Sequence, residues 1–284
     1  MSERRPPRTR APKGPRLGTL RALLLTALFS ALATATAQPG AAFVELVSAL
    51  TRDITAAPGE TQTVYIRVRN SGSQAAYVNV DFRDVAFDET GDYKSVSTGH
   101  ARSSRDWLTG PSEPVLVPGG RTVDIPIEVT VPADAVGAYW TGVYVRPDTT
   151  LVQNWNINNR AAIPITVMTE YAGVFYTTIL GTGENQVVFG EAYIVEDEDA
   201  HNWLQLSVRN DGDLADKFQV RAQLMSDDGA LVQESVITAR IIAGIERQLA
   251  LPLGPIEPNA YTLIVTADSG RDQLFARQYR LTVP

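Results

Sequence analysis

The chain repeats one pattern, Val68-Arg69-Asn70-Ser71-Gly72 and Val208-Arg209-Asn210-Asp211-Gly212, each copy closing a strand-like run. A spacing of about 140 residues is far too long for a solenoid repeat but suits one immunoglobulin-like sandwich. Two further landmarks recur in the same order. Acidic glycine turns follow each copy, Asp88-Glu89-Thr90-Gly91 and Ser226-Asp227-Asp228-Gly229, where Gly supplies a positive φ. An alternating strand then meets a proline and a tyrosine, at Pro132 and Tyr139 in the first copy and at Pro258 and Tyr261 in the second. The pattern predicts an all-β chain of two tandem immunoglobulin-like β-sandwiches.

Period-2 alternation supports the strands. Val64, Ile66 and Val68 oppose Thr63, Tyr65, Arg67 and Arg69, and Val78, Val80 and Phe82 oppose Tyr77, Asn79 and Asp81. Leu274 to Val283 reads as the strand that closes the second sandwich. No stretch past the N-terminus carries a helical period.

The N-terminus reads as an export signal: seven basic residues through Arg21, an apolar run from Ala22 to Ala33 and Ala35-Thr36-Ala37 before Gln38. That run is short for a bilayer of about 30 Å, so cleavage after Ala37, without stable membrane insertion, is expected. The expected organisation is a signal peptide at 1–37, a first sandwich at 38–177 and a second at 178–284, joined at Gly181-Thr182-Gly183. Residues 1–37 carry seven of the 25 basic residues but only one of the 32 acidic ones, which leaves 18 against 31 and a net charge of −13. A field of that sign opposes nucleic acid and anionic lipid. With no cysteine in the chain there is no disulfide, no lipidated cysteine and no thiolate metal site, which suits the bacterial envelope, periplasm or cell surface.

Catalytic signatures are missing. His100 and His201 lie about a hundred residues apart in separate polar loops, a poor basis for a nucleophile and base pair, and no nucleophile elbow, zinc-protease helix or phosphate loop occurs. The chain therefore reads as non-enzymatic, with no cofactor. Glu196-Asp197-Glu198-Asp199 offers hard oxygen ligands, but its spacing matches no Ca²⁺ loop and it reads as a solvated hairpin tip.

Two segments stand out as binding candidates. Pro147 to Arg160 reads as a long polar connection in which Trp155, among Asn154, Asn156 and Asn158, either stacks on a sugar or a partner or folds back on its own core. Ala161 to Tyr176 reads as one uninterrupted strand with Ile163, Ile165 and Val167 at alternate positions, and Pro164 argues for a sheet edge. A long apolar edge strand needs a cover or a partner strand.

The order Thr51-Arg52, Pro58-Gly59-Glu60, Tyr65 to Asn70, Val117-Pro118-Gly119-Gly120, Ala138 to Val145, then a long alternating strand ending Val174-Phe175-Tyr176, resembles bacterial periplasmic pilus chaperones. The resemblance implies two immunoglobulin-like domains, alternating residues of the long strand lent to an incomplete subunit, and a cleft that holds the subunit's carboxylate through an Arg and a Lys. It matches Arg52 to the cleft arginine and Ile163, Ile165 and Val167 to the donor residues. The family's lysine falls near Ala172 or Gly173 and has no counterpart, and the acidic segment before the Tyr139 strand is missing. The first sandwich is also similar to bacterial surface modules that share its Pro-Gly-Glu entry and its Pro132 to Tyr139 segment, which implies binding to surface components or cell-wall polymer. The expected partner is an envelope protein subunit, bound by strand addition.

Overall fold

The computed structural model describes residues 42–148, 151–157, 161–199, 201–271 and 273–283; the expected signal peptide lies outside them. Residues 41–284 group as one compact unit. The strands are β1 (Val44–Leu46), β2 (Arg52–Ala56), β3 (Thr61–Asn70), β4 (Ala76–Phe87), β5 (Tyr93–Val96), β6 (Leu108–Thr109), β7 (Val115–Val117), β8 (Thr122–Thr130), β9 (Ala138–Pro147), β10 (Leu151–Ile157), β11 (Ala161–Val167) and β12 (Tyr171–Ile179). They continue as β13 (Val187–Glu196), β14 (Asn202–Asn210), β15 (Lys217–Met225), β16 (Leu231–Arg240), β17 (Glu246–Leu253), β18 (Asn259–Asp268) and β19 (Leu274–Val283). Among the described residues the one helical element is a 3₁₀ turn, Arg105–Trp107.

The sheets form two sandwiches. In the first, β1-β3-β8-β6 faces β2-β12-β9-β4-β5, with β7 also pairing with β4; in the second, β13-β14-β17 faces β16-β15-β18-β19. Alternation places the cores as the sequence predicts. Ile125, Ile127 and Val129 of β8 are fully buried between exposed neighbours, and they meet Ile66, Val68, Val143, Val145 and Phe175 in the first core. Burial of a ring such as Phe175 contributes about 2–3 kcal/mol. Leu204, Leu206, Phe218, Val220, Leu263 and Val265 fill the second core. β19 closes that sandwich against β18.

The repeated motif has a physical cause. Asn70 and Asn210 end β3 and β14 and are completely buried. Asn70 Oδ1 accepts from the backbone N–H of Phe43 (3.1 Å) and Gly72 (3.0 Å), while its Nδ2 donates to the carbonyls of Gln74 (2.6 Å) and Val117 (3.0 Å). Asn210 repeats the scheme, accepting from Gln186 and Gly212 and donating to Leu214 O and Asn185 Oδ1. An amide supplies two acceptor sites and two donors in one short side chain, which the turn after each strand requires. Gly91 and Gly229 take positive φ (88° and 85°) in the two acidic turns.

The N-terminal segment changes sheets. β1 runs antiparallel to β3, whereas β2 runs parallel to β12 in the facing sheet. Leu50, buried between them, packs so close to Gly173 that a Cβ there would lie 2.7 Å from the Leu50 backbone.

One expectation fails. The continuous strand from Ala161 to Tyr176 is two strands, broken at Met168-Thr169-Glu170. β12 is no edge strand, since β2 and β9 flank it. The polar connection is largely strand as well, for Leu151–Ile157 forms β10, and β10 and β11 pair with each other as a separate two-stranded sheet.

Candidate functional site: an open hairpin and a polar junction

The first candidate grows out of β9 and β12, which are antiparallel partners from Thr178↔Ala138 to Tyr171↔Val145. Beyond the break the chain pairs again as β10 and β11, from Leu151↔Val167 to Ile157↔Ala161. Among the described strands neither of these pairs with any other, so each presents an unpaired outer edge.

Register joins the two sequence candidates. Residues directly opposite in an antiparallel pair share a face, and alternate residues share it along each strand. Trp155 is the register partner of Ile163, Gln153 of Ile165 and Leu151 of Val167. One face of the hairpin therefore carries Leu151, Trp155, Ile157, Ala161, Ile163, Ile165 and Val167, interrupted only by Gln153. The other carries Val152, Asn154, Asn156, Ala162, Pro164 and Thr166. Trp155 thus stands in a strand, beside the candidate donor residues and not in a loop. Asn158 and Arg160 lie outside the described residues.

The second candidate is the junction between the sandwiches. β12 ends at Ile179, two residues past the expected boundary, and Gly181 and Gly183 follow with φ of 72° and 70°. Val85, Ala138, Trp140, Val174 and Tyr176 bury against Leu214, Ala215 and Ile242. Arg102 pairs with Asp213, whose carbonyl accepts from Ala138 N at 2.8 Å, and Gln248 N donates to Glu89 O at 2.7 Å. These contacts fix the angle between the sandwiches.

A polar groove of about 320 Å³ opens along this junction, lined in part by Asp53, Thr55, Asp216, Lys217, Arg240 and Arg271. Asp53 accepts from Lys217 Nζ (2.8 Å) and from Arg240, whose guanidinium lies 3.8 Å above the Tyr176 ring. Burial pushes the Asp53 carboxyl up, but Lys217 and Arg240 together outweigh it and hold the group below the usual carboxylate range. Burial drives the Tyr176 phenol up to about 12, against the opposing effect of Arg240. Arg271 grips Asp216 with two hydrogen bonds, of 2.6 and 3.1 Å. None of these three cations was singled out in the sequence, because Asp53 meets Lys217 and Arg240 across 164 and 187 residues.

The resemblance matches Arg52 to the cleft arginine. On β2 it alternates with Asp53 and is the register partner of Phe175. Its Nε donates to Ala49 O (3.1 Å) and its Nη2 to Tyr65 O (2.5 Å), so it bridges the two sheets of the first sandwich at their edge.

His100 stacks on Trp140 with ring centroids 5.1 Å apart, and burial lowers its pKa against the effect of Asp84. His201 lies beside Asp197, whose carboxylate accepts from Asp199 N, His201 N and Trp203 Nε1. The acidic run is thus a hydrogen-bonded turn between β13 and β14. No group of three or more metal-ligating side chains occurs among the described residues, and no helix there is long and apolar enough to cross a membrane.

No protein-family model and no curated protein matches the chain. Solved structures to which it is similar include the class 5 fimbriae chaperone CfaA, at 12% identity over 85% of this chain and all of that one, with a TM-score of 0.46. The CsuC–CsuE chaperone–tip adhesion subunit pre-assembly complex from archaic chaperone–usher Csu pili of Acinetobacter baumannii is 10% identical over 85% of this chain and 98% of that one, with a TM-score of 0.40. The E. coli chaperone DraB is 11% identical over 84% and 98%, also with a TM-score of 0.40. The sandwich assignment itself rests on the strand order and the two cores described above.

Proposed function

We propose that this chain is an exported, non-enzymatic, chaperone-like protein that holds another envelope protein by strand addition along β11. The observation that carries the reading is the two-stranded hairpin, open at both outer edges and apolar at seven of the eight positions on one face. A partner segment laid along β11 gains main-chain hydrogen bonds from the edge and pockets for alternate side chains from the face. Burial of Ile163, Ile165 and Val167 against a subunit contributes on the order of 5–8 kcal/mol before ordering costs are subtracted. Trp155 falls on the same face by register. Arg52 serves indirectly by bracing β2, which carries Asp53 to the junction groove.

The test is capture from the producing cell's envelope by residues 38–284, with wild type, Ile165→Lys and Thr166→Lys compared and captured proteins identified by mass spectrometry. Thr166 lies on the same strand but on the opposite face, so it controls for charge alone. Capture of one secreted subunit by wild type and Thr166→Lys, lost in Ile165→Lys, with slowed amide exchange at 161–167 in the complex, supports strand addition. Equal capture by all three, or recovery of wall polymer regardless of the substitutions, overturns it and favours a wall-associated surface module.

A further inference from the structure

The hairpin leaves the sandwich through a gap in the ladder. Between Val145↔Tyr171 and Leu151↔Val167 the outgoing leg advances six residues and the return leg four, so the register changes by two and no strand pairing spans 168–170. Where ladder pairing stops, contacts outside the ladder set the direction in which β10 and β11 continue.

β4 holds both legs. On the outgoing side, Asp148 N donates to Tyr77 O at 2.7 Å. On the return side, Glu170, in the break itself, is gripped by Arg83. Nη1 donates to Oε1 at 3.1 Å and Nη2 to Oε2 at 2.9 Å, and Nη2 also reaches Asp81 Oδ2 at 3.3 Å. Arg83 starts opposite Gly142 on β4 and crosses β9 with its guanidinium 4.0 Å from the centre of the Tyr144 ring. Gly142 makes the crossing possible, because a Cβ there would lie 2.5 Å from Val85 Cγ1 and 2.9 Å from Tyr144 Cε2. Both partners are about one-third exposed, 31% for Arg83 and 35% for Glu170, and the fork is bidentate and stacked, so its geometry is more restrictive than that of a free surface pair. Hydrogen bonding to Glu170 raises the Arg83 pKa further.

We infer that Arg83 and Glu170 form a positioning latch that aims the β10–β11 hairpin, so that its apolar face is presented in one orientation to an incoming strand. The value of that orientation rests on the proposed partner site, whereas the latch itself is a property of the free chain.

The absence of cysteine allows clean labelling. Spin labels at Asn156→Cys on β10 and Thr122→Cys on β8 report the distance between hairpin and sandwich by double electron–electron resonance in residues 38–284. A narrow distribution that broadens or shifts in both Arg83→Gln and Glu170→Gln, with Arg83→Lys intermediate and thermal unfolding unchanged, supports the latch. A distribution unchanged in Glu170→Gln overturns it; that variant alters only a side chain in the break and so decides the matter even where Arg83→Gln disturbs the Tyr144 stack. With a captured subunit in hand, latch loss that leaves a tenth of the chains correctly aimed weakens affinity about tenfold. The two readings fail separately. An immobile hairpin that captures no subunit removes the partner site, and an unlatched hairpin that binds as tightly as wild type removes the functional role of Arg83.

Discussion

Replacement of Asn70 by alanine is the sharpest test of what the repeated motif does. The substitution removes an acceptor from Phe43 N and Gly72 N and a donor from Gln74 O and Val117 O, in a side chain with no exposure. Each hydrogen bond contributes about 1 kcal/mol net, and a backbone group left buried without a partner costs about 1–3 kcal/mol. The groups of Phe43, Gly72 and Gln74 are near enough to the surface to recover water, whereas the Val117 contact is buried. A loss of about 4 kcal/mol follows, which lowers the Tm by roughly 8–16 °C for a cooperative unit of 150–250 residues. Asn210→Ala loses a corresponding set of four bonds, two of them buried, and should cost at least as much. Guanidinium unfolding followed by tryptophan fluorescence and far-ultraviolet circular dichroism measures both, with the denaturant slope held constant as the check on a two-state comparison. Losses below about 1 kcal/mol in both variants would refute the argument, because four satisfied bonds in a buried site cannot then be what the repeat preserves.

Two other outcomes are expected. Trp155→Ala should leave the Tm of the free chain nearly unchanged, within the roughly 0.5 kcal/mol typical of sites outside a core, while it weakens subunit capture; a clear fall in Tm would place the ring in a core instead. Asp53→Asn should destabilise the junction at neutral pH, because Arg240, only 12% exposed, loses its carboxylate partner. The Asp53 pKa is depressed in the folded state, so its contribution is present above the ordinary value of 3.8 and is lost as pH falls through the lower folded value. Thermal unfolding at a series of pH values from neutral to about 2 should show wild type and variant converging in acid; a gap independent of pH would exclude Asp53 as its source.

Most of the fold could be read from the chain because its signals are local. Ile125, Ile127 and Val129 alternate in sequence and are buried in the structure, and Asn70 and Asn210 recur because a turn after a strand poses the same hydrogen-bonding problem twice. The break at Met168-Thr169-Glu170 gave no such signal. It holds neither glycine nor proline, and a run of apolar residues on both sides conceals the point where pairing stops. β10 was hidden for the opposite reason: its asparagines suggest a loop, although Asn154 and Asn156 fall at every second position of one strand and so share one face.

The candidate site lies in relations that a single sequence does not print. Trp155 and Ile163 share one face through register, and register between strands depends on what sets it, not on either strand alone. Lys217, Arg240 and Asp53 met through the packing of two sandwiches, and Arg83 reached Glu170 by crossing an intervening strand over Tyr144. The alternating cores secure the sandwiches whatever the hairpin does, so the hairpin is free to carry an apolar face that a self-sufficient sheet would have to bury. An unpaired apolar edge is an aggregation hazard, and a chain that keeps one must restrict where it points. Both anchors at the hairpin's root come from β4, a strand flanked on one side by β9 and fixed in the first core through Val78. The root of the hairpin is thereby tied to a strand of the first core, and under the proposed function that tie limits which strands can pair with its open edge.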